Sequence, residues 1–424
     1  MARDLPVELP QIQNWSCHTC GECCKQHGIY VTEEEQARIE RQNWTEADGI
    51  PAGQQLFVKM PGVLGKGWTR LAHRDDGSCV FLDENGLCRI HGKFGEPAKP
   101  LACRIYPYAF HPTEKGLTVS LRFSCPSVVA NLGTPVVDQR GELNRLAKLV
   151  VPADHKSVPP PMLVDSTSAP WPDVMAVVDA LDATLAQEDV PIHVRLLQAL
   201  HWTRQLGESK LKDITGERFI ELLSLLLDEA SLVMSEMSGE ARPPKQISAV
   251  QFRLLAGQYA RKDTYLNVQP TWADRWKLLS WGLSFAWGGG DIPAVQDVFK
   301  EVPFSTLEQS FGPIPEEAEE FLTRYFRVKI QGLHFCGPAY YNQDMLHGFN
   351  SLVLVYPVVM WIARWLAASA NRQQLTREDV LLAITIADHH HGYSPALNTW
   401  AFRSRVRTLV QMNEVATLVR WYSR

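Results

Sequence analysis

The sequence predicts an α+β fold, with a small loop-rich cysteine module followed by a larger all-α domain. Three observations predict it. Eight of the nine cysteines fall between residues 17 and 125, among short apolar runs. A stretch rich in Pro and Ser follows at 151–172. Beyond it, apolar residues recur at helical spacing almost to the C-terminus. The expected organisation is therefore a cysteine-cluster domain at 1–150, a Pro-rich linker at 151–172 and a helical domain at 173–424, with a candidate division near 238–247.

Length and composition bound the rest. A chain of 424 residues has room for two or three domains. With 45% hydrophobic and 21% charged residues it reads as a soluble globular protein. The net charge of −5 supplies no global basic field, so no nucleic-acid partner is expected. The opening MARDLPVELPQIQNW lacks a basic region followed by an apolar run, so no secretory signal is expected and the protein is placed in the cytoplasm. Ser351–Ala370 is apolar, but Pro357 and Arg364 interrupt it. A buried helix is expected there, not a membrane span.

Within the module, Val31–Gln42 reads as a helix, with Thr32 and Glu35 in capping-box spacing. Cys79–Ile90 reads as a β-hairpin turning at Asn85-Gly86. Leu117, Val119, Leu121 and Phe123 alternate with polar residues, the pattern of a half-buried strand leading to Cys125. The linker follows from its prolines, which lack the backbone donor that helix and sheet require. Downstream, helices are expected at Asp173–Asp189, Ile192–Leu206, Glu217–Met237, Ser248–Tyr259, Trp272–Phe285, Glu316–Val328, Leu352–Ala370, Thr376–His389 and Thr399–Trp421. Breaks are expected at Trp287–Gly290 and at Pro313-Ile314-Pro315.

The cysteines carry the chemistry. Cys17, Cys20, Cys23 and Cys24 open the module, and Cys79, Cys88, Cys103 and Cys125 complete it. In a reducing compartment such a cluster reads as metal ligands before disulfides. A C-x2-C step lets two thiolates turn onto one metal while the intervening amides point at the sulfurs. The C-x2-C-x2-C run is the one that wraps an iron–sulfur cluster in bacterial-type ferredoxins. Four cysteines also suit zinc. The iron–sulfur cluster is the favoured reading, with zinc as the alternative. Neighbouring side chains usually diverge, so adjacent Cys23 and Cys24 indicate either two centres or one spare thiol. His18, His27 and His91 lie near cysteines and could each replace one thiolate. Cys336 stands alone and is expected to be a bystander.

The spaced motifs Cys17–Cys24, Gly77–Leu82, Leu87–His91, Lys99–Pro107 and Cys125-Pro126 follow in order. In that order the chain resembles the CxxCxxCC family of zinc- or iron-chelating cysteine-cluster proteins. Lys99 stands where arginine is expected and His91 where tyrosine is common. The family includes flagellin lysine N-methylases, so the resemblance implies a protein-lysine N-methyltransferase with a protein substrate and S-adenosylmethionine as a further cofactor. The rival class is a non-enzymatic metal-handling or scaffold protein whose helical domain binds a partner.

Other candidates have plainer readings. Three successive histidines, His389, His390 and His391, fan around a helix and cannot share one ion, so a helix C-terminus ending at Gly392 explains them better. Trp287–Asp291 is expected to be a turn, since no βαβ frame precedes it. Asp75-Asp76 reads as a turn. Arg403, Arg405, Arg407, Arg420 and Arg424 read as a solvated helix face.

Overall fold

The structure is a computed structural model of the 424-residue chain. It describes residues 6–60, 67–114, 116–151, 157–165, 167–211, 213–233, 241–261 and 271–424. The fold is α+β: two small three-stranded sheets lie in the N-terminal region and helices make up the remainder.

The first sheet contains β1 (Val7–Glu8), β5 (Tyr108–Pro112) and β6 (Leu117–Leu121), with β6 in the centre, parallel to β1 and antiparallel to β5. The second contains β2 (Tyr30–Val31), β3 (Phe57–Met60) and β4 (Trp68–Leu71), all antiparallel, with β4 central. Each sheet has its own core. Ile39, Ile50, Leu71, Val80, Phe81 and Ile90 form a cluster confined to the cysteine region. The β1-β6-β5 sheet instead joins the large cluster that continues through the C-terminal helices.

This second fact corrects the expectation for β6. Its alternating pattern predicts one wet face, yet all five residues are buried. The face carrying Thr118 and Ser120 lies against the end of the Glu316–Gln331 helix. There Thr118 Oγ1 donates to Gly332 O at 3.2 Å, and Ser120 Oγ lies 3.3 Å from His334 Nδ1. Polar residues are tolerated because each has a partner. The approach needs a glycine, since a Cβ at Gly332 would come within 2.5 Å of Ser120 Cβ.

The capping box at Thr32 and Glu35 is present and starts the Glu33–Glu40 helix. The expected hairpin is not a strand pair. A single bridge, Leu82 to Cys88, closes the turn, another, His73 to Cys79, closes the turn before it, and the chain then enters a helix at Arg89–Phe94. The turn itself is where the sequence puts it: Gly86 has φ +78°, and Asp83 Oδ1 accepts from Asn85 N and Leu87 N. Local turn chemistry was legible, whereas strand formation needed partners this loop lacks. Asp76 likewise makes the expected turn, accepting from Ser78 N at 2.9 Å.

The helical segments follow the expected order, with shifted ends. They run Trp171–Leu185, Ile192–Glu208, Glu217–Leu232, Gln246–Ala260, Trp272–Trp287 and Glu316–Gln331. A helix at Arg140–Val150 is added, burying Leu143, Leu146 and Ala147. Residues 234–240, which include the end of the expected Glu217–Met237 helix and part of the candidate division, lie outside the described residues, as do linker residues 152–156 and 166. Of the described linker, Met162 O and Leu163 O accept from Met345 N and Leu346 N. Trp171 Nε1 donates to Val158 O.

The apolar segment Met345–Ser369 is long and apolar enough for a span, but 94% of its window is buried inside the protein. It is two helices, Met345–Val353 and Val355–Ser369. Pro357 falls in the first turn of the second, where a missing N–H costs little. Arg364 is fully buried and donates to the carbonyls of Leu307, Tyr422 and Arg424. The Thr376/Asp379 capping box opens the Arg377–His390 helix. The final expected helix is broken at Asn413, φ +55°, into Trp400–Gln411 and Val415–Tyr422. The C-terminal arginines are not a solvated face: Arg403 clasps Tyr341 O, Arg424 clasps Glu308 O, and among the five only Arg407 is exposed.

Gly332→Ala should lower stability by about 1–3 kcal/mol, because the added methyl overpacks against β6. Gly141→Ala, where nothing lies within 4 Å of the new Cβ, should instead be neutral or stabilising. Equal melting temperatures for the two variants would contradict the packing described.

Candidate metal centre

The eight cysteines arrive on loops and on the ends of very short helices. Gly21 at φ +71° turns the first run into the helix Glu22–Gln26, which carries Cys23 and Cys24. That run lies across the second loop: Cys79 N donates to Cys24 O at 2.8 Å, and Gly21 packs on Gly86 and Leu82. Arg74 shapes the Cys79 loop by donating to Val80 O at 3.0 Å and to Leu82 O. Such loops cannot satisfy their backbone by sheet or helix, so a side chain supplies the donors. Cys88 precedes the Arg89–Phe94 helix, Cys103 lies in Leu101–Ile105, and Cys125 precedes Pro126–Val129. The Leu101 amide is held by Glu35 Oε1 at 2.6 Å, which ties the Cys103 helix to the capped helix behind it.

All eight are free thiols. Cys17 and Cys20 are exposed, Cys79 and Cys125 are buried, and the other four are in between. Cys103 lies close enough to Cys79, Cys88 and Cys23 to feel their charge. Cys79 likewise feels Cys88 and Cys23, and Cys20 feels Cys23 and Cys17. Cys125 reaches the group through Cys20. The sulfurs of Cys23 and Cys24 are 3.9 Å apart. Adjacent side chains therefore converge here, contrary to the divergence expected from their position.

Backbone amides point at the sulfurs, as the spacing predicts. Cys20 accepts from the Glu22 amide and Cys79 from the Phe81 amide, while Cys125 accepts from Ser127 and Val128. These donors favour the thiolate, but burial outweighs them and pushes all three thiols up, Cys79 to about 12. Burial also raises Cys103, and for Cys23 the hydrogen bond with Cys24 raises the thiol most, with burial second. Lys99 acts in the opposite sense on Cys23 and Cys103. A thiolate donor set raised in this way is stabilised by a metal cation, which takes up the charge the protein interior does not. The residues present thus fit a thiolate-bound metal.

Of the three nearby histidines, His18 is exposed and turned to Ser16 O, and His91 is exposed. His27 is buried and belongs to a seam that sequence reading missed. Its ring stacks on His389 at 4.8 Å, and its Nε2 lies 3.4 Å from Ser124 Oγ. The Ser124 amide donates to Asp388 Oδ2 at 3.0 Å. Asp388 Oδ1 pairs with Lys329 Nζ at 2.6 Å, both side chains fully buried. Lys329 also donates to Leu121 O at 3.0 Å. Burial lowers the Lys329 ammonium and raises the Asp388 carboxyl, and their mutual attraction opposes both shifts. Arg122 stacks on Tyr393 at 3.7 Å. The residue before Cys125 is therefore bonded to a helix some 260 residues away in sequence. The available signal was an Asp near the end of the Arg377–His390 helix; nothing in local spacing tied it to Lys329.

The histidine run does end its helix, with His391 at the cap and Gly392 at φ +79°. The three rings fan apart: His389 to His27, His390 Nε2 to Arg261 O at 2.6 Å, and His391 Nδ1 to Tyr259 OH at 2.8 Å. Burial lowers His390 to about 4 and His391 well below the ordinary range, so neither complements the helix dipole as a cation. Trp287–Gly290 is the expected turn, with Gly288 capping at φ +71°. Cys336 is buried beside Leu333 O.

A compact cysteine module with amides directed at its sulfurs defines a class: metal-chelating cysteine-cluster domains. Residues 16–126 match the CxxCxxCC family, described as "Putative zinc- or iron-chelating domain". The chain is also 34% identical over 75 residues to the flagellar biosynthetic protein FliU of Salmonella muenchen, covering 18% of this chain and 37% of that protein. It is 29% identical over 75 residues to the lysine-N-methylases of Salmonella typhimurium and Salmonella choleraesuis, covering 18% of this chain and 16% of each. The chain thus matches well under half the length of these curated relatives. No solved structure matches.

Lys329→Met should cost about 3–5 kcal/mol in denaturant unfolding, because Asp388 is left buried and uncompensated. Lys329→Met/Asp388→Leu should recover part of that loss; a double variant no better than the single would contradict the pairing. Cys20→Ser and Cys103→Ser should each lose bound metal and become protease-sensitive, whereas Cys336→Ala should retain full metal content. Metal analysis of the three purified variants is the check.

Proposed function

We propose that the eight cysteines Cys17, Cys20, Cys23, Cys24, Cys79, Cys88, Cys103 and Cys125 are the ligand pool of an iron–sulfur centre. The observation that carries this reading is the spread of the sulfurs. With a Zn–S bond of about 2.3 Å, a tetrahedral zinc site brings its four sulfurs to about 3.8 Å from one another. The Cys23–Cys24 contact, at 3.9 Å, is of that size. Among the described residues, no three cysteine sulfurs lie within 4.8 Å of one another, although they feel one another's charge. A cluster interposes several irons between its thiolates and suits the wider spacing. The amides at Cys20, Cys79 and Cys125 support the same reading, since hydrogen bonds to sulfur tune such centres.

The finer reading is methyl transfer to lysine in a protein substrate, with S-adenosylmethionine as donor. It is supported by the relatives named lysine-N-methylase. The described sheets are three-stranded, and the only parallel pairing in them is β1 with β6. A Rossmann-type nucleotide site needs successive parallel strands with crossover helices, so the donor is assigned to the cysteine module or the helices.

Protein purified without oxygen should be brown, contain iron and acid-labile sulfide, and show thiolate-to-iron absorption. Colourless protein with stoichiometric zinc would replace the cluster by a zinc site. Calorimetric titration of the cluster-replete protein with S-adenosylmethionine should show saturable binding that Cys23→Ser abolishes. Absence of binding would leave a metal-handling or scaffold protein.

A further inference from the structure

The Trp272–Trp287 helix presents an apolar face that the other described residues leave exposed. Trp272, Trp276, Leu279, Leu283 and Trp287 follow one another by four, three, four and four residues, which places them in one stripe. They are 76%, 66%, 52%, 64% and 78% exposed. The opposite face is what holds the helix to the protein. Phe285 is buried, and its ring lies so close to Gly257 of the neighbouring helix that a Cβ there would meet it at 2.6 Å. Arg253 further ties the helix end by donating to Phe285 O at 3.0 Å. Exposed apolar residues are ordinary singly; a contiguous stripe with three tryptophans marks an interaction site.

We propose that this stripe is the interface of a homodimer, occupied by the same helix of a second copy lying antiparallel. The stripe is its own complement. About a two-fold axis at Leu279–Ser280, Trp272 would meet Trp287 of the partner subunit, and Trp276 would meet Leu283 of the partner subunit. An isologous contact uses the same patch on both copies, as this pairing does. The area is also adequate. Aromatic side chains bury about 150–250 Å² each, so the stripe offers on the order of 700 Å² per copy, close to the roughly 800 Å² of a stable interface. Charge agrees with the antiparallel sense. Arg275, stacked over the Trp272 ring at 5.3 Å, would approach the carbonyl end of the facing helix, where the dipole is negative. A helix lying on a membrane surface shares tryptophan and basic residues. On this helix the basic residues are Arg275 and Lys277, next to the acidic Asp274, whereas binding to anionic lipid draws on clusters of about 4–8 basic residues.

The test is sedimentation velocity of the metal-replete full chain from low to high micromolar concentration, with vesicle flotation alongside. The wild type should be a dimer. Trp276→Glu/Leu283→Glu should weaken association at least ~100-fold, with unchanged melting temperature and metal content, because both side chains are exposed. Tryptophan emission of the wild type should shift to the blue as the dimer forms. A wild type that is monomeric throughout, or a dimer that survives the double substitution, would overturn the proposal. Flotation of a monomeric wild type with phosphatidylserine vesicles would assign the face to a membrane instead.

Discussion

Asp388 is the group on which the arrangement of the two parts depends. One carboxylate oxygen takes the Ser124 amide and the other pairs with Lys329. Ser124 immediately precedes Cys125, and Lys329 reaches on to the carbonyl of Leu121 at the end of β6. A single buried carboxylate thereby fixes the strand end, the last cysteine and two core helices together. Buried charges of this kind add little net stability against an apolar replacement, but they penalise every arrangement that leaves one of them unpaired. The seam therefore selects one docking of the cysteine region on the helices. His27 stacked on His389 and Arg122 stacked on Tyr393 lie along the same seam.

The cysteine region is built on two different supports. Its second sheet has only a small cluster of its own, around Ile39, Leu71 and Phe81. Its first sheet is part of the main core. Cys79 and Cys88 flank the turn beside the small cluster, whereas Cys125 is held by the large one. A metal bound by both sets would join the weak support to the strong one, so ligand binding would contribute directly to folding. Burial of thiols that would be costly as free thiolates is consistent with such a role, since the cation and the fold are then mutually dependent.

The helical part has a well-filled core and, among the described residues, exposed apolar side chains on the Glu217–Leu232 and Trp272–Trp287 helices. Arg364 lies in the core and spends its guanidinium on three backbone carbonyls near the C-terminus. The Trp272–Trp287 helix lies at the periphery with its aromatic stripe outward. A hydropathy count would place Arg364 outside and the tryptophans inside, the reverse of what is found. Their roles differ because one set of side chains has neighbours and the other does not.

Residue pattern alone determined the fold class, the order of most helices, the capping box at Thr32 and the turn at Gly86. Each of these rests on contacts between residues a few positions apart, or on side-chain chemistry that travels with the residue type. Tertiary structure decided the rest. It buried both faces of β6, because a distant helix ending in Gly332 covers the side that alternation leaves polar. It reduced the expected hairpin to a single bridge, because among the described residues no strand adjoins that turn. It buried His390 and His391 in the core, where burial lowers both, and it joined Asp388 to Ser124 across 264 positions. Periodicity records which faces are apolar but not which element will cover them, and a polar residue's partner, when it is far along the chain, leaves no trace in local spacing.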